Sequence, residues 1–136
     1  MACVAISVSS EISFSGGNEV VRIEYELGRL AIHLRAMQGG KEAVVWFAAV
    51  EGFRVLDERD LMEYRPTCST QNGWLFEIQE GGWLTQEVVR PGSLIGFSNR
   101  GLHEYLVTGT DDCVTVLSVV PPDILVKTAQ AVPSAK

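Results

Sequence analysis

The segment "VVRIEYELGRLAIHLRA", residues 20–36, alternates apolar and polar side chains on both sides of a glycine, Gly28. An alternation with a period of two is typical of β-strands that bury one face. If Gly28 and Arg29 form a two-residue turn, Leu27 lies opposite Leu30 and the apolar side chains all fall on one side. A shift by one residue would mix the two faces, so the pattern and the turn together predict an antiparallel hairpin.

The polar side of this hairpin places Glu24 opposite His33 and Arg22 opposite Arg35. A carboxylate beside an imidazole can orient a general base. Because both arginines share this side, we expect a solvent-exposed ion pair between Glu24 and His33 rather than a catalytic pair.

More strands are predicted after the hairpin. Residues 42–50 are apolar on both alternating sets, which is typical of a strand covered on both faces. Residues 73–89 contain two Gly-Trp-Leu units, and a hairpin turn at Gly81 and Gly82 would join two strands there. A further short strand is expected near residues 94–97.

The two ends of the chain complete the predicted fold. The N-terminus forms the first strand, and residues 103–120 form a strand pair that turns at Asp111 and Asp112. Strands that recur every ~8–12 residues without long helices predict a mainly β fold, an antiparallel sandwich or partly open barrel of about eight strands. We expect a single antiparallel β domain over residues 1–126 and a frayed tail over residues 127–136.

One short helix is predicted near residues 58–65, within "LDERDLMEYRP". Asp57 can cap it, Glu58 and Asp60 lie near the positive end of the helix dipole, and Pro66 ends it. The same charges allow two other interpretations, a surface for a charged partner and a catalytic carboxylate cluster. Acid–base catalysis needs a carboxylate whose pKa is moved toward neutrality, and nothing in the local sequence indicates this.

The composition limits the classes of function. The chain of 136 residues has a net charge of −6 and no basic stripe, which disfavours nucleic-acid binding. No apolar run is long enough to span a membrane. Three cysteines at wide spacing, without a Cys-x-x-Cys pair, favour reduced thiols and a cytoplasmic protein.

The cysteines offer little chemistry in this pattern. Cys68, in a loop, is predicted to be the exposed thiol, and Cys113 a buried one. Either could pair with a histidine as a nucleophile, and Cys68, His103 and Cys113 could hold zinc, but the usual close ligand pairs are missing. Because phosphate-binding, nucleophile-elbow and calcium-loop motifs are also missing, we predict no catalytic residue, no metal and no cofactor.

Two sets of residues are candidates for binding. The first is an acidic surface for a basic protein partner, formed by Asp57, Glu58, Asp60, Glu63, Asp111 and Asp112. The second lines a small-ligand cavity and consists of Trp46, Trp74, Trp83 and His103, although tryptophans in a small β protein more often fill its core. A homo-oligomer that pairs exposed strand edges is a third alternative.

Three pieces, "GFRVLDERDLMEY", "GGWL" and "EYLVTGTDDCVTVLS", resemble small uncharacterised proteobacterial proteins and, more loosely, immunity proteins of bacterial polymorphic-toxin systems. Together they cover about a quarter of the chain. Such immunity proteins are commonly small, single-domain, acidic and cytoplasmic, and they block a toxin by binding it. The resemblance implies a non-enzymatic protein with a protein partner, and it carries over no individual binding residue.

Overall fold

The structure is a computed structural model that describes residues 3–8, 13–14, 16–57, 64, 68, 73–93 and 101–127. Within these residues the strands are β1 (Val4–Ser7), β2 (Asn18–Glu26), β3 (Arg29–Ala36), β4 (Glu42–Phe47), β5 (Val50–Asp57), β6 (Leu75–Glu80), β7 (His103–Val107), β8 (Asp112–Ser118) and β9 (Asp123–Lys127). In the same part of the chain, one short helix, α1 (Trp83–Glu87), follows β6. The predicted mainly β fold is confirmed.

The described strands form two antiparallel sheets that do not close into a barrel. One sheet has the order β1-β6-β7-β8-β5 and the other the order β2-β3-β4-β9. The core between them consists largely of alternate residues from both inner faces, including Leu30, Ile32, Val45, Phe47, Leu75, Val107, Val114 and Val116. The fold is therefore an antiparallel sandwich, one of the two forms that the strand pattern predicted.

The predicted hairpin forms from β2 and β3, but the predicted register is wrong. The turn residues are Leu27 and Gly28, with φ of 50° and 84°, one residue earlier than predicted. Tyr25 lies opposite Leu30, a shift by two residues that leaves the side chains from Arg22 to Glu26 on their predicted faces. The Gly28 carbonyl accepts a hydrogen bond from the Val50 N–H over 2.8 Å, so contact with β5 helps to fix the turn.

A β-bulge interrupts β2 between Val20 and Arg22. The extra residue of a bulge is unpaired and disturbs the alternation of the strand. Val21, predicted to face inward, is therefore 44% exposed, while Val20 packs against the core.

The second Gly-Trp-Leu unit leads into α1, so the hairpin turn predicted at Gly81 and Gly82 is wrong. The first two backbone N–H groups of α1 donate to the Tyr64 hydroxyl and to the Glu104 carboxylate, over 3.1 and 2.9 Å. These distant side chains satisfy amides that are free at every helix start. A local alternation pattern cannot reveal such partners.

The outer face of the five-stranded sheet carries a second apolar cluster, here called the outer core. Its buried members are Cys3, Tyr64, Cys68, Phe76, Ile78, Leu106 and Cys113. Tyr64 and Cys68 belong to the connection between β5 and β6, and they pack on the face that the strands would otherwise expose. The central strands β7 and β8 are thus buried on both faces.

Three predicted segments lie outside the described residues: the helix at 58–65 except Tyr64, the strand at 94–97, and the tail from 128 to 136. Asp57, the predicted cap of that helix, is the last residue of β5. The described part of the predicted tail, Lys127, ends β9.

Candidate functional site

Three of the predicted partner-binding carboxylates meet at one end of the five-stranded sheet. Asp57, at the end of β5, lies directly opposite Asp112, at the start of β8, and Asp111 precedes Asp112 in the turn. Asp111 and Asp112 are exposed, and Asp57 is partly exposed. These three residues are called the acidic end below. The pairing of β5 with β8 thus brings three carboxylates to one end of the sheet.

The turn between β7 and β8 holds the acidic end in place. The buried side chain of Asn18 donates from Nδ2 to the carbonyl of Thr108 over 2.8 Å. The carbonyl of Asn18 accepts bonds from the backbone N–H and the hydroxyl of Thr110, both over 2.9 Å. Gly109 packs so tightly that a Cβ there would lie 2.5 Å from the carbonyl oxygen of Asp112. Because this backbone is already held in place, binding a partner would cost less conformational entropy.

The other predicted members of the acidic surface, Glu58, Asp60 and Glu63, lie outside the described residues. They follow β5 directly in the sequence, after Asp57. Of the six residues of the predicted acidic surface, the structure describes only the three of the acidic end.

The three tryptophans lie in three different environments. Trp74 is buried between the sheets, and its ring packs edge-on against Phe14 with centroids 5.3 Å apart. Trp46 lies on the outer face of the four-stranded sheet, whereas Trp83 begins α1 and holds the Arg54 guanidinium carbon 4.7 Å from its ring centroid. The structure does not bring the three rings into one cavity.

Trp46 does line a shallow depression of about 530 Å³. Its other walls are Glu24, Tyr25, Glu26, Arg29 and Ala31. Small-molecule sites usually enclose most of their ligand in apolar walls, and this depression is open with a charged rim. It provides no convergent set of groups for chemistry.

Both histidines bond to a carboxylate on a neighbouring strand. His33 Nε2 lies 2.7 Å from Glu24 Oε1, so the predicted partners are in contact, although the new register makes the two residues diagonal neighbours. His103 Nδ1 lies 2.8 Å from Glu77 Oε2 at the surface. The hydrogen bond from His33 lowers the pKa of Glu24. His103 lies on the face of its sheet opposite Cys113, so these two do not form a nucleophilic pair.

A buried polar network that was not predicted from the sequence lies at the edge of the outer core. Glu104 is only 1% exposed, and its Oε2 accepts a bond from the Tyr64 hydroxyl over 2.6 Å. Its Oε1 accepts the Leu84 N–H over 2.9 Å. Burial, together with the charge of Glu104, raises the pKa of Tyr64 above its ordinary value of 10.0. Because both oxygens have donors, the network holds α1 against β7.

A signal for this network was present in β7. Glu104 and Leu106 share one face, while Tyr105 and Val107 share the other, so apolar residues occupy both alternating sets. Such a pattern is typical of a strand covered on both faces. Glu104 was therefore readable as a buried acid, but its partner Tyr64 lies too far away in the sequence to be inferred.

The prediction that Cys68 is the exposed thiol is wrong. Cys68 is 7% exposed and packs in the outer core with Cys3 and Cys113. The predicted burial of Cys113 is confirmed. Burial, assisted by the neighbouring thiol of Cys3, raises the pKa of Cys68 to about 12. The thiolate is the reactive form, so Cys68 is not a nucleophile near neutral pH.

The described residues contain no group of three or more His, Cys, Asp or Glu side chains placed to hold a metal ion. In the same residues, no helix has the length and apolar character needed to cross a membrane. Comparison of the chain with protein-family models, curated proteins and solved structures gives no match.

Proposed function

We propose that this chain is a non-enzymatic binding protein whose acidic end engages a basic partner protein. The observation that carries this proposal is the direct opposition of Asp57 and Asp112 on a tightly held turn. A cationic partner would be attracted to carboxylates that are grouped in this way.

The charge of the whole chain supports the same partner. A net charge of −6 attracts a basic protein over a distance, and complementary charge mainly raises the association rate and the specificity. The resemblance to immunity proteins also favours a protein partner. In that case the protein acts in a bacterial cytoplasm by covering a surface of its target.

The chemistry of the described side chains adds support for a binding role. The best-defined buried acid, Glu104, is fully hydrogen-bonded and serves α1, and Cys68 is protonated near neutral pH. The histidines bond to surface carboxylates. Recognition through the acidic end is the function that these arrangements support best.

The proposal is tested by capture from a lysate of the source bacterium. We expect a basic protein to bind the immobilised wild-type chain and to be lost with D111N/D112N. The matched control is E26Q/E80Q, which removes the same charge from exposed positions in other parts of the sandwich.

The kinetics of the captured protein then provide the decisive measurement. D111N/D112N should lower its association rate about tenfold and flatten the salt dependence, because steering by charge is screened by salt. The thermal stability of this variant should change little, because both side chains are exposed. Equal capture and equal kinetics for the variant and the control would reject the acidic end as the binding surface.

A further inference from the structure

The strand β9 forms one edge of the four-stranded sheet. It pairs with β4 over all five residues, and within the described part of the chain no strand pairs with its other side. Leu125 and Val126, which point to opposite faces, are 59% and 53% exposed. Natural edge strands usually carry a central charge, a proline or a bulge that prevents pairing. The centre of β9 has none of these.

The strand β9, "DILVK", can pair antiparallel with a second copy of itself so that its acidic end faces the basic end of the other copy. In an antiparallel pair centred on Leu125, Asp123 lies opposite Lys127 of a second copy, and Ile124 lies opposite Val126. A two-fold axis perpendicular to the sheet keeps every residue on its own face, so opposed side chains match. This register pairs all five residues of the strand.

A row of charges on the outer face of the four-stranded sheet favours the same register. The residues that are paired successively across β2, β3, β4 and β9 are Glu19, Arg35, Glu42 and Lys127. Their signs alternate strictly, and Arg35 bonds to Glu19 over 3.5 Å. Opposite charges on neighbouring strands stabilise a sheet, so the next strand should supply an acid here. In the register centred on Leu125, that residue is Asp123 of the second copy.

The apolar residues fit the same arrangement. Val44, on the outer face, is only 8% exposed and lies beside Leu125. A second copy would place its own Leu125 next in this row and would cover the first. On the inner face, the exposed Val126 would meet Ile124 of the second copy, which packs against the core.

We propose that β9 is a dimerisation surface that binds β9 of a second copy, so that the two four-stranded sheets become one continuous sheet. This inference does not depend on the proposed function, because the acidic end belongs to the other sheet. A dimer would present two acidic ends to a partner and would raise its avidity.

Charge exchange between the two ends of β9 tests the proposal. We expect sedimentation velocity to show a reversible dimer of the wild-type chain. D123K places Lys opposite Lys at both ends of the strand pair, and K127D places Asp opposite Asp. Each variant alone should therefore raise the dimer dissociation constant at least about tenfold.

Mixing the two variants gives the sharper result. A chain with two lysines and a chain with two aspartates are complementary in this register, so an equimolar mixture should form a heterodimer about as tight as the wild type. The matched control is E26K in β2, the opposite edge strand of the same sheet, which should leave the dimer unchanged. Thermal unfolding of each variant checks that the fold is intact.

A cysteine pair checks the register itself. L125C lies on the two-fold axis and should form a disulfide-linked dimer with diamide as the oxidant, whereas L27C, at the 92% exposed turn residue, should not. The native thiols are buried and do not compete. The proposal is overturned by a monomeric wild type at millimolar concentration, by no heterodimer in the mixture, or by equal crosslinking of L125C and L27C.

Discussion

The two outer faces of the sandwich are built from similar alternating strands but have opposite environments. On the five-stranded sheet, Tyr64, Cys68 and α1 cover the strands, and Glu104 is buried with both oxygens hydrogen-bonded. On the four-stranded sheet, Arg22, Glu24 and their neighbours remain exposed and pair with each other. The comparison shows that an acidic residue on a strand is structural where other parts of the chain cover its face, and solvent-exposed where they do not. The covering residues come from distant parts of the chain.

The largest expected effect comes from removing the buried acid. Glu104→Ala leaves the Tyr64 hydroxyl and the Leu84 N–H without their acceptors, each at a cost of ~1–3 kcal/mol. We expect the free energy of unfolding, measured with urea, to fall by about 3 kcal/mol. This would be a large share of the roughly 5–15 kcal/mol that stabilises an ordinary domain.

Two further variants test whether the loss of stability depends on the burial of Glu104. Glu104→Gln keeps an acceptor and most of the shape, so it should lose less stability than Glu104→Ala. Glu24→Ala removes an acid from the exposed face and should change stability far less than Glu104→Ala. A loss from Glu24→Ala as large as that from Glu104→Ala would show that the two faces do not differ as described.

The alternation in the sequence was sufficient to predict a mainly β fold, with the sandwich as one of two forms, and the buried face of β3 and of β2 beyond its bulge. It could not give the hairpin register, because Leu27 adopts a positive φ for which leucine has no preference, and the turn is fixed partly by Val50. The acidic end was predictable in part, since Asp111 and Asp112 lie in a recognisable turn. Their approach to Asp57 follows from the pairing of β5 with β8, a long-range contact.

The buried network was less accessible to sequence reasoning. Gly81 and Gly82 match a hairpin turn, but a helix follows them, and the distant acceptors Tyr64 and Glu104 bind its first two N–H groups. Gly82 itself lies so close to this network that a Cβ there would be 2.6 Å from Glu104 Oε1. The burial of Cys68 depends on the same packing and therefore could not be inferred from its loop position.

A second, smaller effect should appear in the alkaline range. Burial raises the pKa of Cys68 from 9.0 to about 12 and also raises that of Tyr64. A pKa raised by folding contributes stability that is complete below the unfolded pKa and is lost as pH rises through the folded value. Stability should therefore decline between about pH 9 and pH 12, and Cys68→Ala should make this decline shallower.

Thiol reactivity offers an independent check on the covered face. At pH 8 an aromatic disulfide reagent should react with the three thiols of the folded chain far more slowly than with those of the urea-unfolded chain. An engineered thiol at the exposed turn between β2 and β3, Leu27→Cys, should react rapidly in the folded chain and serves as the control. Rapid labelling of Cys68 in the native state would contradict its burial.

The smallest expected effect concerns the exposed pair of Glu24 and His33. The pKa of Glu24 is lowered, first by the hydrogen bond to His33 and to a lesser extent by the charge of Arg22. A pKa lowered by folding contributes stability above the unfolded value, ordinarily 4.5, which is lost as pH falls through the folded value. In carboxyl NMR titrations, His33→Gln should return the pKa of Glu24 toward 4.5 more fully than Arg22→Gln does. The reverse order would mean that the charge of Arg22, rather than the hydrogen bond from His33, sets the pKa of Glu24. The contact between Glu24 and His33 would then be less well formed than its length of 2.7 Å indicates.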